Sequence, residues 1–159
     1  MTDVSTSSSH ALSHTWVIWF HQMHNNNWGI DSYKKVYTFS TIESFWGAYH
    51  TILPFMRNGL FFIMKEGIDP IWEDTTNIDG CTVSMISEED KVIWKELCVG
   101  LISNNLISNK NVINGISSCP KKGTFLLKMW MKSTLDPNIN KEFNLNLRRS
   151  QKKIHKENM

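Results

Sequence analysis

A chain of 159 residues with 41% hydrophobic content has the length and apolar fraction of one domain with a core of its own. A formal charge of +2 excludes bulk electrostatic attraction to nucleic acid as the main mode of action. Three widely spaced cysteines, with no Cys-x-x-Cys pair, exclude a disulfide scaffold and a thiolate zinc site and point to a reducing, intracellular setting. No apolar run approaches the roughly 20 residues that cross a bilayer, so no membrane partner is expected. Seven tryptophans (Trp16, Trp19, Trp28, Trp46, Trp72, Trp94 and Trp130) exceed what a core of this size needs, so some are expected to serve recognition.

Residues 1–9 are polar and read as a flexible leader to a domain spanning 10–159. Residues 14–21 are aromatic and β-branched and predict a strand. The loop Asn25-Asn26-Asn27-Trp28-Gly29 follows, with a tryptophan in polar surroundings. Residues 34–39 predict a second strand, with Lys35, Tyr37 and Phe39 on one face and Val36 and Thr38 on the other. Ser40 and Glu43 have the spacing of a capping box. Beyond them Ile42, Phe45, Trp46, Tyr49, Ile52 and Leu53 recur at helical spacing, and Pro54 ends the helix. Residues 59–64 predict a buried strand, and 81–86 another, entered through the Asp79-Gly80 turn signal.

Ser87, followed by Glu88, Glu89 and Asp90, reads as the cap of a second helix. Its core face would carry Ile93, Trp94, Leu97, Cys98 and Leu101, with Val92, Glu96 and Val99 opposite. Residues 103–111 are polar. Residues 112–117 and 124–131 predict paired strands around a Pro120-Lys121-Lys122-Gly123 turn. Residues 141–155 are basic and read as helical in part. The expectation is an α+β fold: one antiparallel sheet covered by helices on one face.

The most informative stretch is Gly67-Ile68-Asp69-Pro70-Ile71-Trp72-Glu73-Asp74. Pro70 fixes its own φ and pushes Asp69 out of helical geometry, so Trp72 lies just past a rigid corner. A tryptophan packed at a sheet corner beside a solvated carboxylate is one reading. The other is a stacking platform next to a hydrogen-bond acceptor, which suits a cationic purine: the indole face attracts the positive ring, and Glu73 accepts from guanine N1–H and N2–H. Trp28 is the natural second ring. Lys121 and Lys122 form either a solvated turn or a clamp for phosphates. Val92, Glu96 and Val99, extended by Ile42 and Trp46, form either scattered surface and core edge or a groove for a partner's amphipathic helix. His21 and His24 are spaced i, i+3 without a third ligand. No Ser/His/Asp set, phosphate loop or HExxH motif occurs, so neither a metal, a cofactor nor catalysis is expected.

The order of these motifs resembles the eukaryotic translation initiation factor 4E family, whose members bind the 7-methylguanosine cap of mRNA. The matching residues are His10-Ala11-Leu12, Trp16-Val17-Ile18-Trp19-Phe20, Trp28, Phe39, Ile42-Glu43-Ser44-Phe45-Trp46-Gly47-Ala48-Tyr49, the run from Lys65 to Asp74, Trp94 with Glu96, and Trp130. The resemblance implies a single curved antiparallel sheet with about three helices on its convex face. It implies that Trp28 and Trp72 sandwich the methylated base, that Glu73 reads its edge while the Trp72 backbone N–H meets O6, and that Trp130 touches the N7-methyl group. It implies that His10, Ala11, Ile42, Trp46, Glu96 and Val99 hold the helical motif of a 4G-type scaffold factor or a 4E-binding protein. A cytoplasmic monomer, with a nuclear fraction, is what such a protein would be.

The chain also departs from the family. Lys121 stands nine residues before Trp130, where the family has an arginine, and the next two cationic positions fall on Gly123 and Leu126. Lys122 and Lys128 are the available substitutes. A basic residue is missing around Cys81 and Thr82. A thin phosphate clamp keeps a second expectation open, a repressor-type relative or interaction module with weak cap affinity. A nucleotide-processing enzyme has no constellation to support it.

Overall fold

Strand β1 (Ala11–Gln22) carries large side chains on both faces, and this decides the architecture. Trp16 and Ile18 belong to one apolar cluster, Val17 and Trp19 to another. Such a strand needs cover on both sides. The computed structural model, which describes residues 9–106 and 112–132 and the backbone of 153–155, covers one side with helices and part of the other with Ile68, Ile71 and Trp72 of a loop. The expected leader up to residue 8, the polar stretch 107–111 and most of 141–155 lie outside the described residues.

The remaining elements are β2 (Lys34–Thr41), α1 (Ile42–Ile52), β3 (Gly59–Lys65), β4 (Cys81–Glu88), α2 (Val92–Ile102), β5 (Ile113–Lys121), β6 (Thr124–Met131) and β7 (Lys153–His155), with single 3-10 turns at Ile30–Ser32 and Leu53–Phe55. The strands form one antiparallel sheet in the order β2-β1-β3-β5-β6-β4-β7. Among the described residues two helices cover one face, where about three were expected. Phe45, Tyr49 and Ile52 of α1 and Trp94, Leu97, Cys98 and Leu101 of α2 pack there with Ile63, Val83, Met85, Phe125 and Leu127 of the sheet. Trp94 is the largest side chain fully buried. The other face carries Val17, Trp19, Phe62, Met64 and Trp130, with Tyr33 from the loop before β2, and no helix among the described residues covers it.

Four local expectations are corrected. The capping box of α1 is Thr41 with Ser44, not Ser40 with Glu43: Ser44 N–H donates to Thr41 Oγ1 at 3.0 Å and Thr41 N–H to Ser44 Oγ at 3.1 Å. Glu43 is held elsewhere, by the N–H and Nδ1 of His10 at 2.9 and 2.6 Å. Ser87 does not cap α2. It stays in β4, buried opposite Phe125, and Asp90 Oδ1 accepts from Val92 N–H at 3.1 Å instead. Lys35 does not share a face with Tyr37 and Phe39. Ile18 pairs with Tyr37 but Trp19 with Lys35, so Val36 is an extra bulged residue and Lys35 turns to the open face, with Nζ 5.2 Å from the Trp19 ring. Residues 153–155 of the basic tail are a strand beside β4, not helix.

The hairpin between β5 and β6 is tighter than expected. Lys121 pairs with Thr124, so Pro120 and Lys121 belong to the strand and only Lys122 and Gly123 make the turn. Gly123 has φ +76°, a conformation that a side chain disfavours. A second bulge in β5 sets Asn114 apart as an extra residue between Ile113 and Gly115.

Candidate functional site

The site is built on the open face, from the loop 66–80 inward. Gly67, at φ +93°, turns the chain out of β3. Asp74 then acts as the internal brace of the loop. Its Oδ2 accepts from Asp69 N–H at 2.9 Å and its Oδ1 from Thr76 N–H at 2.8 Å. Asn77, buried, donates from Nδ2 to the carbonyls of Asp69 and Ile71. Asn114, freed by the bulge in β5, donates to Thr76 O and to Asn77 Oδ1. The loop is thus tied to the sheet by two buried amides. Gly80 ends it where an added Cβ would lie 1.7 Å from the Met131 carbonyl, so no larger residue fits.

This bracing sets Trp72 half-buried at the edge of the open face. Its ring centroid lies 5.8 Å from that of Trp130, at 54°. Trp130 is fixed in turn by its indole N–H, which donates to Ser117 Oγ at 3.1 Å. Glu73, next to Trp72, is exposed. Across the face, Trp28 stands 53% exposed on the Asn-rich loop. Asn25 Oδ1 accepts from Asn27 N–H, and Asn27 Oδ1 from Gly29 N–H, both at 2.9 Å. The Trp28 indole stacks on His21 with centroids 4.0 Å apart and planes at 4°.

Trp28, Trp72, Glu73, Lys121 and Trp130 line one cavity of about 410 Å³, together with Tyr33, Phe62, Pro70, Ile71, Ser117, Cys119, Leu126 and Lys128. Lys122 is exposed in the turn and is not part of the lining, because strand alternation sends Cys119 and Lys121 to the open face. Lys128 lies opposite Ser117 on the neighbouring strand. Arg57 holds the hairpin from outside: its guanidinium donates to the Lys121 carbonyl, pairs with Glu89 and lies 4.4 Å from the Phe125 ring centroid. The phenol of Tyr33 is pushed up to about 12, first by burial and then by the negative charge of Glu73.

The second group of predicted residues lies on the helix-covered side. Ile42, Val92 and Val99 are exposed apolar side chains, Glu96 is exposed, and Trp46 is half-buried with Lys95 Nζ 5.7 Å from its ring centroid. His10 and Ala11 run beside the start of α1, where the His10 carbonyl accepts from Ile42 N–H at 2.9 Å. A mostly apolar groove of about 470 Å³ lies farther along, between β2 and the end of α1. His21 and His24 do not act as a pair, since one is buried in the stack and the other is exposed. Among the described residues no three His, Cys, Asp or Glu side chains converge on a metal position.

Reading the sequence missed His21 as a partner of Trp28, Tyr33 as lining, and the amides of Asn77 and Asn114. His21 had a signal, since β1 alternation puts it with Val17 and Trp19. The two asparagines, 37 residues apart, had none.

Comparison with known proteins bears on the whole chain. The family model described as eukaryotic initiation factor 4E matches residues 11–158. Eukaryotic translation initiation factor 4E of Candida albicans is 31% identical over 139 residues, 79% of this chain and 66% of that protein. The chain therefore spans just under two thirds of that relative, and 57% of the potato and tomato ones. Among solved structures, Ascaris suum eIF4E-3 with m2,2,7G cap shares 25% identity and superposes with a TM-score of 0.71, covering 83% of this chain and 78% of that one. Schistosome eIF4E complexed with m7GpppG and 4E-BP shares 26% identity with the same TM-score, covering 84% and 78%. No helix among the described residues is long and apolar enough to cross a membrane. With the motifs, the two-sided sheet and a match over nearly all of its length, the chain belongs to the eukaryotic initiation factor 4E family, a family of translation factors rather than enzymes.

Proposed function

We propose that this chain binds the 7-methylguanosine cap of mRNA in the open-face cavity and a helical segment of a scaffold or 4E-binding protein on the opposite face, as a cytoplasmic translation initiation factor. The observation that carries this reading is the convergence of Trp28, Trp72, Glu73 and two lysines on one cavity from separate loops and strands. Its volume falls in the range of small-ligand sites, roughly 300–1,000 Å³. The positively charged base enters between Trp28 and Trp72, where each indole face attracts it. Glu73 accepts from N1–H and N2–H, the Trp72 backbone N–H meets O6, and Trp130 lies by the N7-methyl group. Lys121 and Lys128 pair with the phosphates, with Lys122 at the rim. Ile42, Trp46, Glu96 and Val99, flanked by His10 and Ala11, take the partner helix.

The related structures support both halves: the Ascaris protein holds an m2,2,7G cap, and the schistosome protein holds m7GpppG and 4E-BP. The direct test follows tryptophan fluorescence while 7-methyl-GTP and GTP are titrated. A clear preference for the methylated nucleotide is expected; equal affinities would remove the cationic-stacking mechanism.

A second reading, a repressor-type relative with weak cap affinity, draws on the cavity lining, where Lys121 and Lys128 are the only cationic side chains among the described residues. Titrating mono- and triphosphate forms of 7-methylguanosine separates the readings in part, because a small difference favours the weaker clamp. A scaffold-type peptide completes the test: an initiation factor captures it through Trp46, and a repressor that does not recruit the scaffold fails to.

A further inference from the structure

His21 is the one fully buried imidazole among the described residues, and the base-stacking scheme gives it no task. It is the last β1 residue to face the open side before the strand ends at Gln22. Two contacts define it. Its ring lies under the Trp28 indole, with centroids 4.0 Å apart and planes at 4°. Its Nε2 lies 2.7 Å from the carbonyl oxygen of Asn27, the residue before Trp28. A carbonyl only accepts, so Nε2 carries the proton and Nδ1, buried without a hydrogen-bond partner, carries the lone pair. Tyr33 packs beside the stack, its ring centroid 4.7 Å from that of His21.

The geometry points to His21 as a positioning residue for the Trp28 platform: it anchors the loop backbone through Nε2 and holds the indole from behind, leaving the other face for the ligand. This inference rests on the cap-binding reading and deepens it. A tryptophan on an Asn-rich loop, half exposed, would otherwise lose its freedom at the moment of binding. Fixing it beforehand moves that cost into folding. A chain of rings makes the same point at longer range. From Trp28 it runs through His21, Tyr33, Phe62 and Trp130 to Trp72, with successive centroids 4.0, 4.7, 5.4, 6.2 and 5.8 Å apart. His21 gives the far wall of the cavity its tightest tie to the floor, beside a direct approach of Trp28 to Tyr33 at 6.5 Å.

The test has a ligand-free part and a binding part. Long-range nitrogen–proton NMR of the ligand-free protein is expected to show His21 as the Nε2–H tautomer, with its carbon-bound protons shifted by the indole ring current. Trp28→Ala should abolish that shift. An Nδ1–H tautomer, or ring-proton shifts unchanged by Trp28→Ala, would overturn the proposal whether or not the protein binds cap. In the binding part, His21→Gln removes the ring and His21→Phe restores a stackable ring without the anchor. 7-Methyl-GTP affinity is expected to fall roughly three- to tenfold in His21→Gln, the cost of ordering one side chain and its loop on binding, and less in His21→Phe. Wild-type affinity in both variants would overturn the proposal while leaving the cap reading intact. A wild-type protein that does not distinguish 7-methyl-GTP from GTP would end the cap reading, and the NMR result would still decide the stack.

Discussion

Trp72 and Trp28 stand on different ground, and their substitutions should differ accordingly. Trp72 sits on a loop braced by Asp74, Asn77 and Asn114, so Trp72→Ala removes a ring and leaves its support standing. Trp28 is supported by the stack beneath it, so Trp28→Ala also uncovers His21. Each is expected to weaken 7-methyl-GTP binding by about 1–3 kcal/mol, the usual scale of base–aromatic stacking, as read from fluorescence or calorimetric titration. Unchanged affinity in either would show that this ring does not stack on the base. Glu73→Ala should act on selectivity, sharply reducing the preference for guanine over adenine nucleotides, because only the Trp72 backbone N–H at O6 is then left to tell the two edges apart. A variant that discriminates as well as the wild type would assign base reading to another group.

The elements are joined by polar ties that make their own predictions. His10 links the start of β1 to the start of α1 through Glu43, and its hydrogen bonds hold the Glu43 carboxyl down at about 2 from an ordinary 4.5. A carboxylate depressed on folding adds stability above its unfolded value and loses it as the pH falls toward the folded one. The tie should therefore weaken between about pH 4.5 and 2, with a small effect on stability because both side chains are exposed. Carboxyl NMR of Glu43 checks this, and His10→Ala should return its midpoint toward 4.5. Asn114→Ala is a harsher change. It removes two hydrogen bonds and leaves the buried Asn77 carbonyl unpaired, at an expected cost of about 1–3 kcal/mol in denaturant unfolding.

These ties also show where the sequence stops being readable. The two faces of β1 follow from alternation alone, and the core faces of both helices from spacing. The cap of α1 does not, because Ser40–Glu43 fits the usual Ser/Thr-x-x-Glu pattern while the box that forms is Thr41–Ser44. The choice is made by His10, 33 residues away, which occupies Glu43. The bulge at Val36 is equally silent in sequence, and it alone decides which way Lys35 points. The site was legible where it rests on a local motif, as at Trp72 and Glu73. Lys121 was separable from Lys122 only once the hairpin register was known.

For the whole molecule, the sheet separates two surfaces. Trp46 belongs to the helix-covered side and Trp72 to the open one. Trp46→Ala should abolish capture of a scaffold-type peptide while leaving 7-methyl-GTP affinity within a factor of two or so. The Trp46→Ala/Trp72→Ala double variant should show effects that add within about 0.5 kcal/mol, as distant sites do. A larger coupling energy, measured by a double-mutant cycle on ligand binding, would show that the sheet transmits one site to the other.

The strand order also bears on how the protein opens and closes as a folded body. Strands β1, β2 and β3 come from the first part of the chain and β4, β5 and β6 from a later part. Within the described sheet they meet only along the pairing of β3 with β5, from Phe61 with Ser118 to Met64 with Gly115. The cavity straddles that seam, with Trp28, Tyr33 and Phe62 on one side and Trp72, Lys121 and Trp130 on the other. A bound nucleotide would therefore act as a rivet across the two parts of the sheet. Amide hydrogen exchange along β3 and β5 should slow on ligand binding by the full factor that mass action allows, more than exchange in the outer turns of the helices.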